Sequence, residues 1–475
     1  MYSSSIEADF SKQLERKFKL ASDFQKRQLV DDSVTIYYLN TVVKTDDIQK
    51  YIIEPLQQNL PNSYKNTNMK EQIPSIIPAL NCKTVSTYKE IENAITNGYT
   101  FISFKGKVSG ILVATQDWKE RGIQEVFGER SMKGPVIGFT EKINSNLNII
   151  RSILKTPELA IETNSYGSIS KTDVSIVYLN GLVDKNVLKK VKERISKLTT
   201  NYILESRIVE EAIEGKRTFV DLIMTTERID TASSAILEGK VIVFVDGNPH
   251  AIIAPALFVD FFQSADDFHS KYGKGINRLI RFAGFFIAIF LPGIYVTLDK
   301  FYSNSFSKKI QEEVFKDDLL PTHAEVLILL ILLKILVDLV ARAPKNMILL
   351  LTLIATISIG DASISADFLH PASLVITSLS VLLGYPVAIR GQTSAIFTLR
   401  ILYITVGYFT GFQGMMILTT AIIIYFSQLD SVGVPFLSPI IPFRPNEFQD
   451  IFFRSNLKKL NNKIHSFPNK EFNKK

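Results

Sequence analysis

The chain of 475 residues has one cysteine, Cys82, one tryptophan and five histidines. A lone thiol has no partner within the chain, which excludes a disulfide-stapled fold and a cysteine-rich zinc or iron–sulfur site. The histidines are scattered and form no His-x-x-x-His pair, so we expect no metal and no cofactor. The sequence also lacks a G-x-S-x-G elbow and a G-x-x-x-x-G-K-S/T phosphate loop, and we therefore predict that it is not an enzyme.

The first 25 residues lack a continuous apolar core, so we expect no signal peptide. A region without an export signal is expected to stay in the cytoplasm, and the reducing conditions there agree with the single cysteine.

Charged residues are also scarce, at 21 % against 46 % hydrophobic residues, with a net charge of +7. The mean hydropathy is +0.14. The apolar excess lies in residues 276–443, whereas residues 1–275 have the composition of a soluble protein. This distribution predicts a soluble region followed by a membrane domain.

Two segments of the soluble region are alike, VTIYYLN at residues 34–40 and VSIVYLN at residues 174–180. Each β-branched and aromatic run precedes a turn and a polar helical stretch, which predicts a strand–turn–helix unit used twice. Internal duplication and chance similarity both explain the likeness. We predict two α/β subdomains, at residues 1–140 and 141–275, with an amphipathic linker helix opening the second.

The membrane domain is predicted at residues 276–443, with four to six spans. Its apolar runs are 279–298, 325–341, 347–364, 372–389 and 401–429. About 20 residues are needed to cross ~30 Å of hydrocarbon. The entry side of the first run carries Lys271, Lys274, Arg278 and Arg281, which place that side in the cytoplasm. The last run is longer than one span requires and contains Gly411, so it is either one tilted helix or a broken, re-entrant hairpin.

A basic tail follows at residues 444–475, with eight basic and three acidic residues. Such a tail is expected in the cytoplasm, which requires an even number of crossings. Either the last run doubles back, or the run at 325–341 lies along the membrane interface. Beside a membrane, anionic lipid is the expected partner of the tail, and we expect no nucleic-acid binding.

Charged side chains interrupt the second apolar run. Charge within a span is costly and is expected to face protein or water, and Lys334 and Asp338 share one helix face. We therefore take Glu325, Lys334 and Asp338 as a candidate pore or polar membrane face. A structural ion pair or an amphipathic helix at the membrane surface is the alternative. Arg400, at the start of the last run, is expected to extend to the lipid headgroups.

Short motifs between residues 134 and 439 occur in an order that resembles the GerA-type spore germination proteins, the A subunits of nutrient germinant receptors. They include GFTE at 138–141 with Asn148 and Arg151, TER at 226–228, LEGK at 237–240, VDGNP at 245–249, LPGIYV at 291–296 and SVGVPFLSP at 431–439. The resemblance implies roles in fold or assembly, rather than in germinant binding, for the motif residues Gly138, Glu141, Glu227, Arg228, Gly239, Asp246, Gly247, Pro249, Pro255, Pro292, Gly433 and Pro435.

The resemblance also implies a multi-pass subunit of the spore inner membrane with its N-terminal domain in the cytoplasm. Such a subunit acts with a permease-like B subunit and a lipoprotein C subunit, forms a homo-oligomer, and forms or gates an ion conduit that triggers germination. The sequence departs from the family pattern at Lys334, at 342–346 and at 360–363. These departures leave a non-conducting membrane scaffold or sensor as the alternative, and a membrane-anchored enzyme as a third, weaker one.

Overall fold

The computed structural model describes residues 11–29, 34–59, 77, 81–104, 109–118, 138–264, 276–307, 314–315, 320–362, 369–387 and 391–444. The chain separates into two compact units. The first unit comprises residues up to Gly215 together with Thr225–Pro255. The second comprises Lys216–Met224 and the residues that follow from Ala256.

The first unit opens with a five-stranded antiparallel sheet in the order β1-β2-β4-β5-β3. Its strands are β1 (Phe24–Leu29), β2 (Val34–Leu39), β3 (Cys82–Val85), β4 (Tyr99–Phe104) and β5 (Gly110–Ala114). Two helical segments connect them, α1 (residues 45–59, with a π turn at Gln49–Ile53) and α2 (Tyr88–Thr96). Alternate side chains of the strands and the apolar helix faces enclose one hydrophobic core, which gives each buried aliphatic side chain about 1.5–3 kcal/mol of stabilisation.

A linker helix and a second sheet complete the first unit. The linker helix is α3 (Ile143–Ile153), and the sheet has the order β6-β7-β9-β10-β8. The strands are β6 (Leu159–Tyr166), β7 (Thr172–Leu179), β8 (Met224–Thr226), β9 (Val241–Val245) and β10 (Ala251–Ala254), and the helices are α4 (Lys185–Ser196), α5 (Ser206–Glu214) and α6 (Ile229–Leu237). Helix α4 begins where the Asp184 carboxylate accepts hydrogen bonds from two free main-chain N–H groups.

The two sheets are built on the same plan. Numbered within each sheet, both have the strand order 1-2-4-5-3. Ile36 lies opposite Ile102 in the first sheet, and its counterpart Ile176 lies opposite Val243 in the second. This agreement favours internal duplication over chance similarity. The N-terminal region is α/β with two sheets, as expected, and the division into subdomains at residues 1–140 and 141–275 stays a prediction.

The second unit is built from apolar helices. They are α7 (Ile276–Tyr302), α8 (Thr322–Arg342), α9 (Lys345–Ala355, continued by a π-helix at Thr356–Ala362), α10 (Pro371–Val387) and α11 (Thr393–Gln428). Two helical stretches, at 276–305 and 393–428, are long and apolar enough to cross a membrane, and two shorter apolar helices lie at 346–358 and 371–387. The number of crossings therefore stays a prediction.

Helix α11 is broken at Gly411, whose φ of 66° and ψ of −156° are not helical. The hydroxyl groups of Tyr403 and Thr419 form a hydrogen bond of 2.8 Å across the break. In a straight helix these two residues would lie about 24 Å apart along the axis. Of the two forms considered for the last apolar run, the structure thus has the broken hairpin, with two nearly equal arms.

Contacts between helices of the second unit fix the relative directions of α7, α10 and the first arm of α11. Gly293 of α7 lies against the Tyr403 main chain, and Gly407 lies against Thr297, so α7 and the first arm of α11 run in parallel. Helix α10 runs opposite to α7, since its beginning, at Ser373, meets Tyr295 and its later residue Ser380 meets Ala288. The chain segment at 216–224 and the short hairpin β11 (Asp430–Ser431) with β12 (Val434–Pro435) also belong to this unit.

Candidate functional site

A buried ion pair joins the linker helix to the first sheet. The Arg151 guanidinium donates from Nε to Oδ2 of Asp23 over 2.9 Å and from Nη2 to Oδ1 over 2.7 Å. The Thr41 hydroxyl donates a third hydrogen bond, of 2.6 Å, to the same carboxylate. Arg151 is 1 % exposed. Because both charges are withdrawn from water, each depends on the other, and the pair fixes where α3 lies on the first sheet.

Asn148 lies one helical turn before Arg151 and reinforces this contact. Its Nδ2 donates to the main-chain oxygens of Thr41 and Asp117, over 2.7 and 2.8 Å. Lys17 adds a contact at the surface, where its amine lies 2.6 Å from the Glu158 carboxylate next to β6. The hydrogen bond to Glu158 raises the pKa of Lys17 above its ordinary value. The two sheets are thus held together by polar contacts on both sides of α3.

The beginning of the linker helix is held by motif residues from the second sheet. The Asp246 carboxylate accepts a 3.0 Å hydrogen bond from the Ile143 main-chain N–H, and Gly247 N–H donates to the Glu141 carbonyl over 2.8 Å. Gly138 forms an isolated antiparallel bridge with Arg228. The structure therefore brings together six of the motif residues named from the sequence, which are Gly138, Glu141, Glu227, Arg228, Asp246 and Gly247.

Two of these motif residues carry ion pairs of their own. Arg228 is buried and its Nη2 lies 2.6 Å from Oδ2 of Asp230. The Glu227 carboxylate lies 3.1 Å from Nε2 of His250. The first pair lies at the beginning of α6, and the second joins the residue after β8 to the turn after β9; both fit a structural role.

Other motif residues set the course of the main chain. Gly239 and Gly433 have positive φ values of 85° and 91°, which favour glycine. Pro249 lies in the turn between β9 and β10, Pro255 follows a cis peptide bond, and Pro435 ends β12.

Replacing Asp246 by alanine is expected to weaken the beginning of the linker helix by about 1–2 kcal/mol, because the Ile143 N–H then loses its acceptor. Hydrogen–deuterium exchange of the peptide covering residues 143–153 in the full chain measures this. The matched control is Asp184→Ala, which removes the cap of α4 and is expected to raise exchange there and not in α3. Unchanged protection of α3 in Asp246→Ala would contradict the assignment.

The candidate polar membrane face lies on α8. Lys334 and Asp338 form an ion pair of 2.8 Å, and their side chains are 31 % and 48 % exposed. Glu325 lies nine residues before Lys334, about two and a half helical turns, and so on the opposite face. It is 1 % exposed and accepts a 2.7 Å hydrogen bond from the Ser373 hydroxyl of α10. The structure brings Lys334 and Asp338 together and places Glu325 elsewhere.

Arg400 is buried between helices, and the expectation that it extends to the headgroups is wrong. It is 6 % exposed, and it donates from Nε to the Ala288 carbonyl over 3.0 Å and from Nη2 to the Ser380 carbonyl over 2.6 Å. The reason lies in Pro292, which has no N–H to donate to the carbonyl four residues earlier. Arg400 and the Ser380 hydroxyl donate hydrogen bonds to the Ala288 carbonyl in its place. In the sequence, a proline within one apolar run and an arginine within another were the features that could have predicted this contact.

Within the ranges that the structure describes, no group of three or more His, Cys, Asp or Glu residues is arranged to hold a metal ion. The expected absence of metal, cofactor and enzymatic activity stays a prediction.

Sequence comparison assigns these features to a family. The family model described as Bacillus/Clostridium GerA spore germination protein matches residues 12–466. The chain belongs to the GerA spore germination protein family. The resemblance inferred from the order of the motifs is confirmed.

Individual GerA proteins cover most of the chain. Spore germination protein KA of Bacillus subtilis (strain 168) is 29 % identical over 430 residues, which are 89 % of this chain and 78 % of that protein. Spore germination protein GerQA of Bacillus cereus is 26 % identical over 444 residues, 92 % of this chain and 88 % of that protein. The crystal structure of the N-terminal domain of the A subunit of the Bacillus megaterium spore germinant receptor GerK3 is 29 % identical, with a TM-score of 0.41, and covers 52 % of this chain and 93 % of that chain.

Membership of the GerA family places the chain among spore germination proteins, and this is not a known enzyme family. Family membership alone does not assign a role to any individual side chain. Asp23 and Arg400 both make buried charge contacts, yet neither was singled out as a site residue from the sequence. Asp23 gave no signal, because its partner lies 128 residues away in the chain.

Proposed function

We propose that the chain is the A-type membrane subunit of a spore nutrient germinant receptor, and that it oligomerises and forms or gates an ion conduit. In this proposal it is a multi-pass protein of the spore inner membrane with its N-terminal domain in the cytoplasm. It acts with a permease-like B subunit and a lipoprotein C subunit. Membership of the GerA family supports the receptor role. The conduit and the oligomer rest on the geometry of α8.

The Lys334–Asp338 ion pair is the observation that carries the conduit. It lies in the second half of α8, and the neighbouring exposed side chains are the apolar Ile331, Leu332, Ile335 and Leu339. On insertion scales each charge at the centre of a span costs about 2.5–3.5 kcal/mol, so the pair is expected to face water or protein. Copies of α8 arranged around an axis would give the pair a water-filled path.

The opposite directions of α7 and α10, together with the reversal of α11 at Gly411, support a multi-pass topology. With α7, α8, α9, α10 and the two arms of α11 each crossing once, there are six crossings, and the tail returns to the side of the N-terminal domain. This satisfies the even number that the basic tail at 444–475 requires. We propose four regions, namely 1–140, 141–275, 276–443 and 444–475.

Replacing Lys334 or Asp338 by leucine is expected to slow germinant-triggered ion efflux from spores at least tenfold. Each substitution replaces a charged side chain of the proposed water-facing surface by an apolar one, which disfavours hydration of that surface and so the open path. Efflux of monovalent cations after addition of nutrient, normalised to the amount of the subunit in the spore membrane, is the measurement.

The exchanged pair Lys334→Asp with Asp338→Lys is the matched control, since it keeps the ion pair and reverses only its direction. A purely structural pair predicts normal efflux in the exchanged variant and altered subunit amount in the single variants. Normal efflux in both leucine variants at normal subunit amount would remove this face from the mechanism.

A non-conducting scaffold or sensor is the second candidate, because Lys334 and Asp338 neutralise each other as a structural pair would. Reconstitution of the chain with its partner subunits in liposomes separates the two. Nutrient-dependent ion flux supports the conduit, and its absence at full incorporation supports the scaffold.

A further inference from the structure

Among the described residues of the second unit, Arg400 forms no ion pair. Its hydrogen-bond acceptors are the main-chain carbonyls of Ala288 and Ser380, and among the described residues no carboxylate lies within ion-pair distance of the guanidinium. Carbonyl oxygens satisfy N–H groups but carry no net charge. A buried cation of this kind is costly unless an anion approaches it.

A small cavity lies beside this guanidinium. Its volume is about 50 Å³, and it opens between α8, α10 and α11. A Cβ atom on Gly384 would lie 2.5 Å from Nη2 of Arg400, so the absence of a side chain at Gly384 is what makes room for the guanidinium at the edge of the cavity. Lys334 also borders the cavity, and the remaining wall is mostly apolar, with Leu330, Val381 and Ile396 among its residues.

The charge balance around the cavity is positive. Of the two cations that border it, Lys334 is paired with Asp338, and Arg400 has only carbonyl partners among the described residues. The third guanidinium nitrogen, Nη1, has no hydrogen bond to a described residue. A planar guanidinium with a free edge binds carboxylate and phosphate oxygens through parallel hydrogen bonds.

We propose that this cavity binds an anionic oxygen group of the phosphate type, held by Arg400 and assisted by Lys334. The cavity volume of about 50 Å³ is of the order of a single small anionic group. The group has two possible sources, the headgroup of an anionic lipid or a free phosphate ion. Arg400 is seven residues from the start of α11, about 10 Å along the helix, which is within reach of a headgroup entering between α8 and α10.

The test introduces a carboxylate near Arg400 by substitution, so that the protein itself provides the negative charge that the proposed anion would bring. Val381→Glu places a carboxylate in the cavity wall, and Val381→Gln is its neutral match of equal size. Arg400 is left intact, because its removal would also disturb the carbonyls of Ala288 and Ser380. The full chain of each variant is placed in phosphatidylcholine nanodiscs, in the same nanodiscs with phosphatidylglycerol, and in phosphatidylcholine nanodiscs with inorganic phosphate at constant ionic strength.

The melting temperature of the wild type and of Val381→Gln is expected to rise by about 4 °C with the bound anion. Val381→Glu is expected to melt at the raised temperature without any anion and to gain nothing from it. A gain with phosphatidylglycerol alone identifies the headgroup, and a gain with inorganic phosphate identifies the free ion. The proposal is overturned by no gain in the wild type with either anion, or by equal gains in the glutamate and glutamine variants.

Discussion

Replacing Arg151 by methionine is expected to lower the free energy of unfolding of the first subdomain by about 3–5 kcal/mol, because the buried Asp23 carboxylate then loses both hydrogen bonds from the guanidinium. Trp118, the only tryptophan, packs against the core of the first sheet and reports on this region. Urea unfolding of the detergent-solubilised full chain, followed by Trp118 fluorescence, measures the loss.

The double variant Asp23→Leu with Arg151→Met tests whether the loss comes from a stranded charge. It removes both charges and keeps a similar volume, so it is expected to be more stable than Arg151→Met alone. If the double variant loses as much free energy of unfolding as Arg151→Met and Asp23→Leu lose together when measured singly, the two residues act independently. That result would contradict the ion pair as the contact that positions α3.

Replacing Gly293 by alanine is expected to lower the stability of the second unit by about 1–3 kcal/mol, because α7 and α11 approach too closely at this point to admit a side chain. A Cβ atom there would lie 2.8 Å from the Tyr403 carbonyl oxygen, and main-chain atoms cannot move aside as a flexible side chain can. Small residues allow such contacts between apolar helices. Thermal loss of helical circular dichroism in the detergent-solubilised chain is the measurement.

Gly360→Ala is the matched control in the same unit. A Cβ atom at Gly360 meets no atom within 4 Å, so this variant is expected to melt within about 1 °C of the wild type. Equal melting temperatures for Gly293→Ala and Gly360→Ala would show that α7 and α11 are not in close contact at this position.

Much of the fold follows from local patterns. The repeated strand–turn–helix segments at 34–40 and 174–180 predict two α/β subdomains, and both lie in the second strand of their sheets. The apolar spacing after residue 141 predicts the linker helix that the structure has at Ile143–Ile153. Periodicity and turn residues act over a few positions of the chain, so they can be read from the sequence directly.

The polar contacts that join these elements could not be predicted in the same way. Glu325, Lys334 and Asp338 share one apolar run, but helical geometry turns Glu325 to the opposite face, against Ser373. A count of helical turns would have separated it from the other two. The Asp23–Arg151 pair gave no such signal, because nothing local marks a contact across 128 residues.

The sequence alone determined the order of the regions, the family and the elements, because composition, period and motif order are properties of the chain itself. The tertiary structure decided which side chains meet. It showed that the last apolar run reverses at Gly411, since the non-helical main chain there and the hydrogen bond between Tyr403 and Thr419 distinguish a hairpin from a tilted helix. It also placed Arg400 beside the carbonyl left free by Pro292, where burial makes its charge significant.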